Sequence, residues 1–88
     1  MNKQAILEKL RTLKPMLQEK YSISELALFG SYSRDEQTGS SDIDIMVDFS
    51  KPIGIEYLDL VYQIKEAFED VQVEVVAKNA IKKNIMIA

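Results

Sequence analysis

The sequence predicts one small α/β (α+β) domain: a mixed β-sheet of three or four strands with helices on one face. Three observations lead there. Apolar residues recur at spacings of three or four over residues 3–20 and again over 55–69, the period of amphipathic helices. Three short stretches, 24–29, 42–49 and 71–76, alternate with period two, as half-buried strands do. The order along the chain is α-β-(turn)-β-α-β-α once residues 79–87 are counted as a short last helix. Layering helices on one side of a sheet is the economical way to bury such faces.

The first helix is carried by Ile6, Leu10, Leu13 and Leu17, which fall on one face. Pro15 lies inside this pattern and is expected to kink the helix or restart it near Leu13-Lys14, because proline lacks the N–H of the helical ladder. In the strand SELALF, Leu26 and Leu28 share one side and Ala27 and Phe29 the other; Gly30 ends it. Residues 31–41 are polar and contain Gly39, so a loop is expected, with one helical turn at its start.

The stretch DIDIMVDF places Ile43, Ile45, Val47 and Phe49 on one face and Asp42, Asp44, Met46 and Asp48 on the other. Pro52 and Gly54 mark the next turn. The helix over 55–69 is expected to face the core with Ile55, Leu58, Val61, Ile64 and Phe68. VQVEVV forms the third strand, Val71, Val73 and Val75 opposing Gln72, Glu74 and Val76. Ile81 and Ile85 stand at i, i+4 in the last helix; with Ile87 they are a candidate partner surface, or pack back on the sheet.

With 88 residues the chain is expected to be a single domain, 1–88. Its net charge of −3 argues against a general nucleic-acid binder. The charge is uneven: residues 1–20 carry five Lys/Arg and two Glu, whereas residues 21–60 carry two basic and eight acidic residues. Cys and His are both absent, which removes thiol chemistry, imidazole bases and the usual zinc sites. No apolar run approaches the roughly 20 residues of a membrane span. The start MNKQAILEKL is too polar for a signal peptide, so a cytoplasmic protein is expected.

Chemistry must then run on carboxylates, hydroxyls, Arg and Lys, with or without a metal. Asp42 and Asp44 sit at i and i+2 of a strand, on one side and roughly 6–7 Å apart. They repel unless one is protonated, a Lys or Arg lies near, or a divalent cation binds between them; for a cation, an oxygen-only ligand set suits Mg²⁺ or Mn²⁺. Gly30-Ser31 ends the preceding strand. A helical turn over 31–35 would offer free N–H groups to an anion, with the Ser31 hydroxyl and Arg34 as further donors. A phosphate cradle beside a metal pair points to a bound nucleoside triphosphate. Glu74 would complete a three-carboxylate cluster if its strand lies beside 42–49. Each part also has a plainer reading: a turn, a solvated strand face, an edge-strand charge that blocks aggregation.

Together these residues resemble the signature of the minimal nucleotidyltransferases, a small branch of the DNA polymerase β-like superfamily. Strand, Gly30-Ser31, ten residues, Asp42-Ile43-Asp44 and strand follow in order. The chain has LFGSYSRDEQTGSSDIDIMV where that branch has LFGSxARG…SDIDLLV, and it departs from the branch with Asp35 for Gly and Glu74 for the commoner Asp. The resemblance implies the nucleotidyltransferase fold. It implies that Gly30 and Ser31, with Arg34 and Ser41, bind the nucleotide. It implies that Asp42, Asp44 and Glu74 are catalytic and hold Mg²⁺ (two ions, or Mn²⁺), with ATP as substrate. It further implies an antitoxin paired with a helical HEPN-type toxin, onto whose hydroxyl AMP is moved. A binding module of the same fold, silencing its partner by contact alone, remains the alternative.

Overall fold

The computed structural model describes residues 2–69 and 71–78. Helix α1 (Lys3–Tyr21) leads into strand β1 (Ile23–Phe29), a 3₁₀ turn (Ser31–Arg34), strand β2 (Ile43–Phe49), helix α2 (Glu56–Ala67) and strand β3 (Val73–Ala77). The expected last helix lies outside the described residues.

Helix α1 starts where Asn2 caps it, its side-chain oxygen accepting the Ala5 N–H at 2.9 Å. It ends at Ser22, which adopts a left-handed conformation. The helix does not restart at Leu13-Lys14. It runs through Pro15, with Leu17 and Tyr21 beyond the proline buried in the same core as Ile6 and Leu10 before it. Burial on both sides of Pro15 offsets the one backbone hydrogen bond that proline cannot make.

The sheet order is β1-β2-β3, with β1 antiparallel and β3 parallel to the central β2. A parallel pair needs a crossover, and α2 supplies it. One face holds the core. Ile43, Ile45 and Val47 of β2 are buried against Ile6 and Leu17 of α1 and Leu60 and Ile64 of α2. Both helices therefore lie on this face, as the sequence predicts.

The core face of α2 differs from the expected one. Leu60, Ile64 and the following Phe68 are buried, with Tyr57 and Ala67 packed alongside. Ile55 and Leu58 are 81% and 69% exposed. Ile64 and Phe68 belong to either stripe, so spacing alone could not choose between them. The choice comes from Tyr57, whose ring meets Phe49 edge-on at 6.1 Å and whose hydroxyl donates to the Val75 carbonyl at 3.3 Å. That contact rotates the first turn and leaves Ile55 and Leu58 outside. Burial pushes the Tyr57 hydroxyl pKa up.

Candidate active site

The register of the sheet builds its second face in three rows. Phe29, Asp44 and Glu74 are cross-strand neighbours in the first. Ala27, Met46 and Val76 form the second. Glu25 and Asp48 pair in the third, where Lys78 completes the row with a 3.1 Å ion pair to Glu25. Acidic residues thus collect at the end of the sheet where β1 finishes and β2 begins.

Gly30 follows Phe29 there. Its φ of 77° and ψ of −158° fall in a region essentially reserved for glycine. The missing side chain makes room for a carboxylate: a Cβ on Gly30 would meet Asp44 Cγ at 3.0 Å and its Cβ at 3.2 Å. Beyond Gly30 the chain closes at once into the 3₁₀ turn. The Ser33 N–H and hydroxyl both donate to the Gly30 carbonyl, at 3.1 and 2.6 Å. Ser31 and Tyr32 open the turn, so their N–H groups have no carbonyl behind them in it. These N–H groups stand next to Asp44, where the sequence expects an anion site.

The remaining site residues fall around this centre. Asp42 is exposed and immediately precedes β2; the N–H of the next residue, Ile43, binds the Gln72 carbonyl at 2.8 Å. Glu74 stands beside Asp44 in the parallel register and is exposed. Asp44 is half-buried. Among the described residues no three carboxylates gather closely enough to form a ready cation site. Asp44 flanked by Asp42 along the strand and Glu74 across it still fits a magnesium ion, which takes one or two protein carboxylates and fills its shell with water and phosphate.

Arg34 is exposed and pairs through Nε with Glu36 at 2.7 Å. Such a surface pair contributes about 0.2–1 kcal/mol, so a phosphate competes for this guanidinium easily. Ser41 accepts the Thr38 N–H on its hydroxyl at 2.8 Å and returns its own N–H to the Thr38 carbonyl at 3.2 Å. It closes the turn that delivers Asp42 to β2.

A groove of about 550 Å³ runs between this loop and the entry to β3, lined by Tyr32, Gln37, Ser40, Asp42 and Gln72 among others. Gln37 was not legible as a site residue: a glutamine in a polar loop carries no spacing signal. A second, more apolar cleft of about 720 Å³ lies at the other end of β2, lined by Phe49, Ile53 and Tyr57.

The Gly-Ser and Asp-x-Asp elements of the sequence thus meet in space, Gly30 yielding its side-chain room to Asp44. The nucleotidyltransferase domain profile matches residues 10–87. This chain belongs to the nucleotidyltransferase family.

Several relatives are close. A Methanocaldococcus jannaschii protein named "Putative protein adenylyltransferase" is 42% identical over 77 residues, covering 86% of this chain and 78% of that protein. Another of the same name and organism is 43% identical over 79 residues, with the same coverage. The protein adenylyltransferase MntA of Thermococcus cleftensis is 36% identical over 73 residues, covering 82% of this chain and 73% of its own. As a nucleotidyltransferase the chain is an enzyme by family, and its three-stranded mixed sheet with two helices is consistent with that fold. No described helix is long and apolar enough to cross a membrane.

Proposed function

We propose that this nucleotidyltransferase moves AMP from ATP to a hydroxyl of a partner protein, and that the partner is a helical HEPN-type toxin which it silences as an antitoxin. The observation that carries the chemistry is the contact between Gly30 and Asp44, which sets a carboxylate against the backbone that would hold a triphosphate. The relatives named protein adenylyltransferase support a protein as acceptor. The toxin is assigned on the sequence resemblance.

In this reading the Ser31 and Tyr32 N–H groups and the Ser31 hydroxyl take phosphate oxygens, and Arg34 exchanges Glu36 for another. Asp42 and Asp44 would hold a divalent cation, Mg²⁺ or Mn²⁺, with Glu74 at their side. When bound, that cation offsets the charge of the triphosphate and draws electron density from the α-phosphorus. The acceptor oxygen bonds to the α-phosphorus as the bond to pyrophosphate breaks. Pyrophosphate leaves, and the hydroxyl proton passes to solvent.

A second reading has one observation in its favour. Glu74 is exposed and Asp35 places a further exposed acid beside Arg34, so the site carries more negative charge than a polyphosphate favours. On that reading the chain neutralises its partner by binding alone. Intact-mass measurement of a candidate partner, a helical HEPN-type protein encoded by an adjacent gene, after incubation with MgATP and this protein, separates the two. A gain of AMP units that disappears with Asp42→Ala/Asp44→Ala supports transfer. A stable complex with no gain supports binding alone.

A further inference from the structure

One residue that lines the groove beside Asp42 carries an anomaly. Gln37 Oε1 is the one side-chain nitrogen or oxygen among the described residues that is closed to solvent and has no hydrogen-bond partner. Buried polar atoms are almost always paired, and an exception calls for an explanation. The backbone on either side of Gln37 is held in place. On one side the Glu36 N–H is tied to the Ser31 carbonyl at 2.9 Å; on the other the Thr38 N–H is tied to Ser41.

The walls of the groove say what it would hold. They include Thr38, Ser40, Ser41 and Gln72, Tyr32 and one carboxylate, Asp42; among the described residues no Lys or Arg lines it. A phosphate finds no counter-charge there. A neutral group that donates a hydrogen bond finds an unpaired acceptor, within reach by rotation about the broad terminal torsion of the glutamine.

The position of Asp42 narrows the choice, on the reading of function proposed above. In nucleotidyl transfer the phosphorus near Asp42 has two substituents other than phosphate oxygens: the ribose, through its 5′ oxygen, and the incoming acceptor. Both bear or present hydroxyls. We propose that Gln37 is the hydrogen-bond acceptor for a substrate hydroxyl seated in the groove beside Asp42, and so a specificity-determining residue of this enzyme. Until that hydroxyl arrives, its oxygen stays buried and unpaired.

Calorimetric binding of ATP, 2′-deoxyATP and 3′-deoxyATP to the wild-type chain, Gln37→Leu and Gln37→Glu tests this, together with KM for the adjacent gene's product. If the hydroxyl is the ribose's, wild type binds one deoxynucleotide about 5–10-fold more weakly than ATP, the size of one neutral hydrogen bond. Gln37→Leu then binds all three alike, and Gln37→Glu, which keeps an acceptor oxygen, restores discrimination. If it is the acceptor's, nucleotide affinities do not change, and KM for the protein rises about 5–10-fold in Gln37→Leu and recovers in Gln37→Glu. In either case Gln37→Leu without substrate melts at or above the wild-type temperature, because it removes an unpaired polar group. No discrimination in wild type and an unchanged KM in Gln37→Leu overturn the proposal, as does a lower melting temperature with binding unchanged. Failure of wild type to bind ATP at all is a different result: it removes the proposed function, and the role of Gln37 with it.

Discussion

The Asp44 carboxylate lies where the side chain of residue 30 would begin. A Cβ on Gly30 would stand 3.0 Å from Asp44 Cγ. Thirteen residues separate the end of β1 from the start of β2, yet the antiparallel register of Phe29 with Asp44 brings their ends together. The turn after Gly30 and the strand that carries Asp44 are thus a single packed unit.

Gly30→Ala tests that unit. Alanine at φ 77° and ψ −158° costs about 1–3 kcal/mol of stability from the backbone alone. Its methyl also displaces the Asp44 carboxylate. Transfer is expected to fall by about 100-fold or more, as misplacement on the order of 1 Å does in other active sites. Urea denaturation and the mass assay read the two effects separately; a folded variant with wild-type transfer would refute the coupling.

Asp42→Ala and Asp44→Ala should behave in the opposite sense. Neither side chain is in the hydrophobic core, and Asp44→Ala also removes a carboxylate neighbouring Glu74. Unfolding free energy is expected to stay within about 0.5 kcal/mol of wild type. Transfer, and the rise in melting temperature on adding MgATP, are expected to vanish. Chelating the divalent cation should reproduce the loss in wild type, and adding Mg²⁺ or Mn²⁺ should reverse it.

Helix α2 offers a direct test of which face is core. Leu60→Ala is expected to cost about 2–5 kcal/mol, because Leu60 is fully buried. Leu58→Ser, two residues away, should change stability by about 0.5 kcal/mol or less. In a domain of this size the first corresponds to a drop in melting temperature of at least ~8 °C. Equal effects would restore the face that spacing alone suggests.

Stability should decline in alkali. The Tyr21 side chain is 3% exposed, and its hydroxyl donates to the Asp59 carboxylate, which also lies 3.7 Å from Lys20 Nζ. Desolvation first, then the bond to Asp59, hold the Tyr21 pKa above its ordinary 10.0. The folded chain therefore keeps a proton that the unfolded chain releases. The stabilisation is fully present below about pH 10 and is lost as pH rises through the folded value. Melting curves between pH 8 and 11.5 should fall more steeply for wild type than for Tyr21→Phe. At neutral pH that variant should be less stable by about 0.5–1.5 kcal/mol, the worth of one hydrogen bond.

Much of this architecture is local and so was written in the sequence. Period-two alternation fixed which residues of DIDIMVDF face the core, because a pleated strand admits only two faces. Gly30-Ser31 and Asp42-x-Asp44, with their spacing, marked the family before any fold was known. The limits of β1, β2 and the 3₁₀ turn differ from expectation by one residue or little more, as frayed ends do.

Tertiary structure decided what local pattern leaves degenerate. Two apolar stripes on α2 share Ile64 and Phe68, and only the contact of Tyr57 with Phe49 and Val75 selects one. The continuity of α1 through Pro15 depends on burial at both ends, which no local rule encodes. The neighbourhood of Asp44 and Glu74 is set by the register of β2 with β3, a pairing between residues 30 apart. The unpaired oxygen of Gln37 is likewise a property of the folded loop. Its hydrogen-bonding capacity is a fact of the residue, but whether anything stands within reach of it depends on the packing around it.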